Sequence, residues 1–181
     1  MNNPSHSFTL KSNGGLLNSI VTPCKVGRAF NVADGLSNNT ILDFNAIWDT
    51  GATGSVITQK IVDDCDLKPI SMTEVRGVHG AQLSEVFLVN IVLPNSVMFE
   101  NVKVTKAKLL GDGIDALIGM DIISQGDFSF TNKGGLSMFS FRIPSAAHTD
   151  YVEQHNKKHS ASRVKKDRKK SPKTFGKNKR K

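Results

Sequence analysis

Short apolar runs broken by turn residues follow one another from Phe8 to Pro144. Residues 16–21 come after Asn13-Gly14-Gly15, and residues 41–48 after Ser37-Asn38-Asn39. Residues 86–93 end at Pro94-Asn95, residues 97–104 are flanked by charge, and residues 116–118 run into Gly119. Residues 128–130 and 138–141 alternate with period 2 on either side of Asn132-Lys133-Gly134-Gly135, the pattern of a hairpin. Helical spacing is confined to two short stretches, residues 58–65 and residues 121–125, the second with Asp121 as its expected N-cap. Many short strands with turns every roughly 8–12 residues predict an all-β barrel or sandwich carrying one or two short helices.

One of these strands delivers an acid. In Ala46-Ile47-Trp48-Asp49-Thr50-Gly51-Ala52, an apolar strand ends on Asp49 and a tight turn follows, before Val56-Ile57 leaves as a second apolar strand. Such a turn exposes a carboxylate at the end of a rigid element. Gly51 lets backbone N–H groups approach that carboxylate, and Thr50 offers a hydroxyl. The triplet alone is an ordinary turn, because Asp and Gly are common turn residues. A second motif changes its weight. Asp115-Ala116-Leu117-Ile118-Gly119-Met120-Asp121 places an apolar strand ending in Gly119, then a short helix, with Gly119 lying 70 residues after Asp49.

With these two motifs in this order the sequence resembles the retropepsin family, the aspartic proteases of retroviruses and their cellular and bacterial relatives. The resemblance runs from about Leu16 to Phe141. It implies a closed β-barrel of the acid-protease type over residues 15–144, preceded by an N-terminal extension (1–14). It also implies an active homodimer, since the chain holds a single Asp-Thr-Gly and pepsin-type enzymes carry two. In that reading Asp49, Thr50 and Gly51 are catalytic, each subunit supplying one aspartate, and Thr50 hydroxyls lock the two turns across the dimer axis. Residues 73–83 would form the flap, with Gly77, Val78, His79 and Gly80 at its tip. Those four, with Ala52 and Ile118, are the expected substrate contacts. Neither a metal nor another cofactor is called for. One departure stands out: Met120 follows Ile118-Gly119 where viral enzymes often have an Arg that braces the active-site region, so that brace is absent here or built differently.

Charge separates the body from the tail. Residues 1–150 hold 11 Lys and Arg against 14 acids; residues 151–181 hold 13 against two, a net of +11. Beyond Pro144 the branched aliphatic residues are reduced to Val152 and Val164, too few to offset the entropy of ordering. Residues 145–181 are therefore expected to be a disordered polybasic tail. Its basic arm, residues 157–181, is a candidate for salt-dependent, non-specific contact with nucleic acid or the ribosome. The competing reading of the whole chain is a non-catalytic peptide-binding or dimerisation module of the same fold, tethered to nucleic acid by this arm. No run approaches the roughly 20 apolar residues of a membrane span. The first residues lack the basic-then-apolar order of a signal peptide, and the chain opens on Met1 as a complete product would. Two distant cysteines, Cys24 and Cys65, make a disulfide framework improbable, so a cytoplasmic location is expected.

Overall fold

The computed structural model describes residues 6–30, 40–77, 80–108 and 110–157. In chain order its strands and helices are β1 (His6–Lys11), β2 (Val21–Arg28), β3 (Ile41–Trp48), β4 (Val56–Thr58), α1 (Gln59–Asp64), β5 (Ser71–Gly77), β6 (Gly80–Val92), β7 (Met98–Ala107), β8 (Ala116–Ile118), α2 (Met120–Ile123), β9 (Asp127–Lys133) and β10 (Leu136–Ile143). Burial alternates along the barrel strands as a pleated surface requires. β2 turns Thr22, Cys24 and Val26 inward, and β3 does the same with Phe44, Ala46 and Trp48.

Six strands close a barrel in the order β2-β3-β8-β4-β7-β6, and β6 returns to β2 with Ile91 opposite Val26. β5 lies outside the closed ring and pairs only with β6. Two pairs are parallel, β3 with β8 and β4 with β7. Closure gives the barrel a continuous core: Val26, Ala46, Ile57, Ile61, Val89, Val104 and Ile118 are all wholly buried. The fold is thus all-β and barrel-forming, the architecture that the resemblance implies.

β1, β10 and β9 form a separate antiparallel sheet in that order. Its inner face is aromatic. Phe8, Phe128, Phe139 and Phe141 surround the Trp48 ring, with centroid separations from 5.0 to 6.3 Å. The Trp48 Nε1–H donates to Thr22 Oγ1 at 2.9 Å, so the ring's one polar group is satisfied inside the core. At Gly126, where α2 hands over to β9, a Cβ would lie 2.3 Å from the Arg142 carbonyl and 2.6 Å from the Phe141 ring. Only glycine fits that crossing. On the outer face, bonds from the Ser145 hydroxyl, the Ala146 N–H and Arg142 hold the Asp127 carboxyl well below the usual carboxylate range.

Three sequence expectations need correction. Residues 6–11 are not an extension but a full strand, because Phe8 and Leu10 alternate inward against the core. Residues 16–20 are irregular, and the strand expected over 16–21 begins at Val21 instead. Pro23 and Lys25 break up its apolar run, yet both point to solvent. Asp121 is not an N-cap: Gly119 holds that position, and Asp121 lies in the first turn of α2.

Residues 147–181 form a second unit. Within it residues 151–157 are helical, and the Asp150 carboxylate caps them by accepting from the Val152 and Glu153 N–H groups at 2.8 and 3.0 Å. Nearly all of the basic arm lies outside the described residues. Among the described residues no helix is long and apolar enough to cross a membrane. Both cysteines are free thiols; burial, reinforced by the Asp115 and Asp43 charges, pushes Cys24 up to about 12.

Candidate active site

The turn after β3 presents Asp49, half-buried, at the point where that strand leaves the barrel wall. β3 is anchored there by its parallel partner, with Trp48 opposite Ile118. The Asp49 N–H continues the ladder by donating to the Ile118 carbonyl at 3.0 Å. The carboxylate is oriented from its own turn: the Gly51 N–H donates to Asp49 Oδ1 at 2.8 Å. A Cβ on Gly51 would lie 3.2 Å from that oxygen, so a side chain would crowd the acceptor. The Ala52 N–H then donates to the Asp49 carbonyl at 3.3 Å and closes the turn.

A second chain segment clasps this turn from outside. The Met120 N–H donates to the Ala52 carbonyl at 2.8 Å, and the Asp121 N–H to the Thr53 carbonyl at 3.2 Å. The Asp121 carboxylate accepts twice from Ser55, from its N–H at 2.9 Å and its hydroxyl at 2.8 Å. Ser55 Oγ accepts in turn from the Gly119 N–H at 3.1 Å. Ser55 is buried, so these bonds form away from bulk water, and a carboxylate acceptor makes them stronger than neutral pairs. Gly119 makes the approach possible. A Cβ there would meet the Gly54 carbonyl carbon and oxygen at 2.6 Å, closer than real contacts allow.

Met120 contributes only its backbone to this clasp, through the bond to Ala52. The side-chain part of the clasp is an acid on α2 that receives donors from the turn. Sequence reasoning missed Ser55 and misassigned Asp121. The one available signal was a lone small hydroxyl between Gly54 and the apolar Val56-Ile57, a position that is buried only if its polar atoms have partners.

The expected site residues fall into two groups. Asp49, Thr50, Gly51 and Ala52 share the turn, and Ile118 lies beneath it. Thr50 is exposed. Ile118 is wholly buried, so within one subunit it supports Asp49 through its carbonyl rather than offering a surface. Gly77 and Gly80 stand opposite each other at the end of the β5–β6 hairpin. Val78 and His79 lie outside the described residues.

The family model described as aspartyl protease matches residues 34–122, a span that contains the Asp49 turn, the β5–β6 hairpin and the Gly119–Asp121 clasp. Similar solved structures include a retropepsin-like aspartic protease from Rickettsia conorii, at 15% identity and TM-score 0.44, covering 81% of this chain and 99% of that one. The EIAV protease in complex with an inhibitor matches at 19% identity and TM-score 0.41, over 59% of this chain and 86% of that one. The simian foamy virus protease matches at 17% and 0.37, over 57% and 92%. No curated protein matches the chain. Across residues 34–122 the chain is thus similar to the aspartyl protease family.

Proposed function

We propose that this protein is a homodimeric aspartic endopeptidase in which two Asp49 carboxylates, one per subunit, activate the attacking water. The observation that carries this reading is the Asp49 turn: a carboxylate at a strand end, oriented by the Gly51 N–H, clasped by Gly119–Asp121 and present once per chain. A two-fold axis beside the turn supplies the second carboxylate. Two carboxylates brought that close share one proton rather than ionise together. The ionised one takes a proton from water, the oxygen attacks the scissile carbonyl carbon, and the protonated one gives its proton to the carbonyl oxygen. Collapse of the tetrahedral species with protonation of the amine releases both peptide halves. In that dimer Thr50, exposed on the same turn, bonds the opposite subunit; its exposure supports this role. The β5–β6 hairpin is the covering flap, with Gly77 to Gly80 at its tip and an extended polypeptide as the substrate beneath it.

The decisive test is Asp49→Asn. Peptide-library cleavage should fall by at least about a thousandfold, while sedimentation and circular dichroism stay those of the wild type. Cleavage at the wild-type rate would sink the proposal. So would a wild-type chain that stays monomeric at working concentration, whether or not it cuts. The basic arm adds a separate proposal, non-specific nucleic-acid contact, supported by its charge alone.

A further inference from the structure

Inside the barrel wall β7 outruns one of its neighbours. β4 pairs with it only from Thr105 to Ala107, whereas β6 runs beside it from Met98 to Thr105. Before Thr105, then, β7 has a strand on one side only among the described residues.

The uncovered side carries free backbone groups. In an antiparallel pair, successive residues turn their N–H and C=O alternately toward the partner strand and away from it. Two bonds set the phase here. The Thr105 N–H donates to the Ser55 carbonyl at 3.3 Å, away from β6. Leu88, which stands opposite Lys103, accepts at its carbonyl from the Ala29 N–H at 3.4 Å, away from β7. Lys103 therefore turns its own N–H and C=O away from β6, to the side that β4 leaves uncovered.

That side is not filled by other chain. A groove of about 710 Å³ is lined by residues 97–103 of the β7 side, by Asp121, Ile122 and Gln125, and by Ile143. Met98, Val102 and Ile143 give it half-buried apolar surface. Glu100 and Lys103 are exposed and opposite in sign, so the groove offers no cluster of cations to a phosphate chain. The Asp121 carboxylate is already taken by Ser55. An extended polypeptide matches these features: its main chain bonds a free strand edge, and alternate side chains seat on apolar surface.

From this we infer that the groove between β7 and α2 is a second peptide site, distinct from the Asp49 turn. Its occupant is an extended segment of a partner polypeptide, uncharged and apolar at alternate positions, that adds to β7 as a strand at Lys103. The added strand lies end to end with β4, since Ser55 at the start of β4 takes the next outward N–H of β7. It also borders Asp121, which lines the groove while holding Ser55 in the clasp. The site does not depend on the two-aspartate reading and stands or falls without it.

Peptide selection with a backbone readout tests it. A display library of linear peptides is panned on the full chain carrying Asp49→Asn, so that captured peptides stay intact. In amide NMR spectra a selected peptide should shift residues 98–104 saturably and slow exchange at the Lys103 N–H. Lys103→Pro removes that donor without removing a β6–β7 ladder bond. Gln125→Trp narrows the groove from the α2 side and keeps the test open if the proline variant does not fold. Each, where circular dichroism shows the parent fold, should weaken binding by at least about tenfold. Lys103→Ala keeps the backbone and should bind like the parent. Selected peptides that shift only residues 49–52 and the β5–β6 hairpin would overturn the inference, because they occupy the proposed cleft alone. So would binding that survives Gln125→Trp in a folded chain, or that is lost in Lys103→Ala, which would assign recognition to the side chain and not to the strand edge.

Discussion

The Asp49 turn and the β5–β6 hairpin are held in opposite ways. The turn is bonded on every side: to Ile118 below, to Gly51 within, and to Met120 and Asp121 from α2. Its backbone rests on a strand whose last residue, Trp48, is locked among four phenylalanines. The hairpin has little beyond its own ladder. From Ser71 to Arg76, and from Gly80 to Leu83, every described side chain is exposed, and Leu83 is 77% exposed. Inward of that, Ser84 bonds β7 through the Lys106 backbone and Glu85 pairs with Lys106. The boundary between the two regimes is therefore sharp, at about Ser84. A reacting carboxylate gains from being fixed, since small displacements of a catalytic group cost large factors in rate. A cover over an extended chain gains from being loosely held, and such elements come from the least stable part of a fold.

The largest expected effect is on the buried side of this contrast. Trp48→Ala empties the centre of the aromatic cluster and strands the Thr22 hydroxyl. It should cost roughly 3–5 kcal/mol in urea-denaturation experiments. Leu83→Ala on the hairpin should stay within about 0.5 kcal/mol of wild type. Similar losses from the two would mean that the hairpin is packed as firmly as the turn, and the contrast would collapse.

A finer cut removes the clasp and leaves the core alone. Asp121→Ala leaves the Ser55 N–H and hydroxyl without their acceptor in a buried place, and should cost about 2 kcal/mol. Peptide cleavage should drop more steeply, by roughly a hundredfold, because the turn that loses its anchor is the one that positions Asp49. Asp121→Asn keeps one acceptor, a neutral one, and should recover part of the rate through kcat, with KM little changed. A fall in stability with no fall in kcat would make Asp121 a structural residue only.

How far the sequence disclosed this design follows from which interactions leave a periodic trace. The Asp49 strand and the Ala116–Ile118 strand were legible because each is an apolar run stopped by glycine, and their spacing joined them. β1 was not, since His6 and Ser7 dilute its two inward residues, Phe8 and Leu10. β2 was hidden by Pro23, which reads as a breaker although it faces solvent. Parallel pairing of β3 with β8 and β4 with β7 leaves no local signature at all, because the partners are far apart in sequence. Asp121 was found but misread: a carboxylate at a helix start serves as a cap in isolation, and only the approach of Ser55 from 66 residues away redirects it. The clasp depends on Gly119, whose backbone is extended and whose value is space for Gly54, something no turn rule encodes.

A small effect on global stability is also expected at the hairpin's own glycine, and there the two regions can be separated most cleanly. Gly80 has φ of +94°, a conformation that side chains rarely adopt, and nothing lies within 4 Å of where its Cβ would be. Gly80→Ala is therefore opposed by backbone strain alone, on the order of 1 kcal/mol. Because the described neighbours on both strands are exposed, the hairpin end should relieve that strain by opening locally instead of transmitting it to the barrel. The urea midpoint should stay near the wild-type value, while amide exchange in residues 72–76 quickens. For cleavage, the proposed role of the hairpin as the cover predicts that KM rises several-fold with kcat nearly constant, since the variant leaves Asp49 and its anchors as they were. A matching fall in kcat would show that the hairpin end reaches the fixed turn after all, and the division between held and loosely held regions would have to be redrawn around the pair.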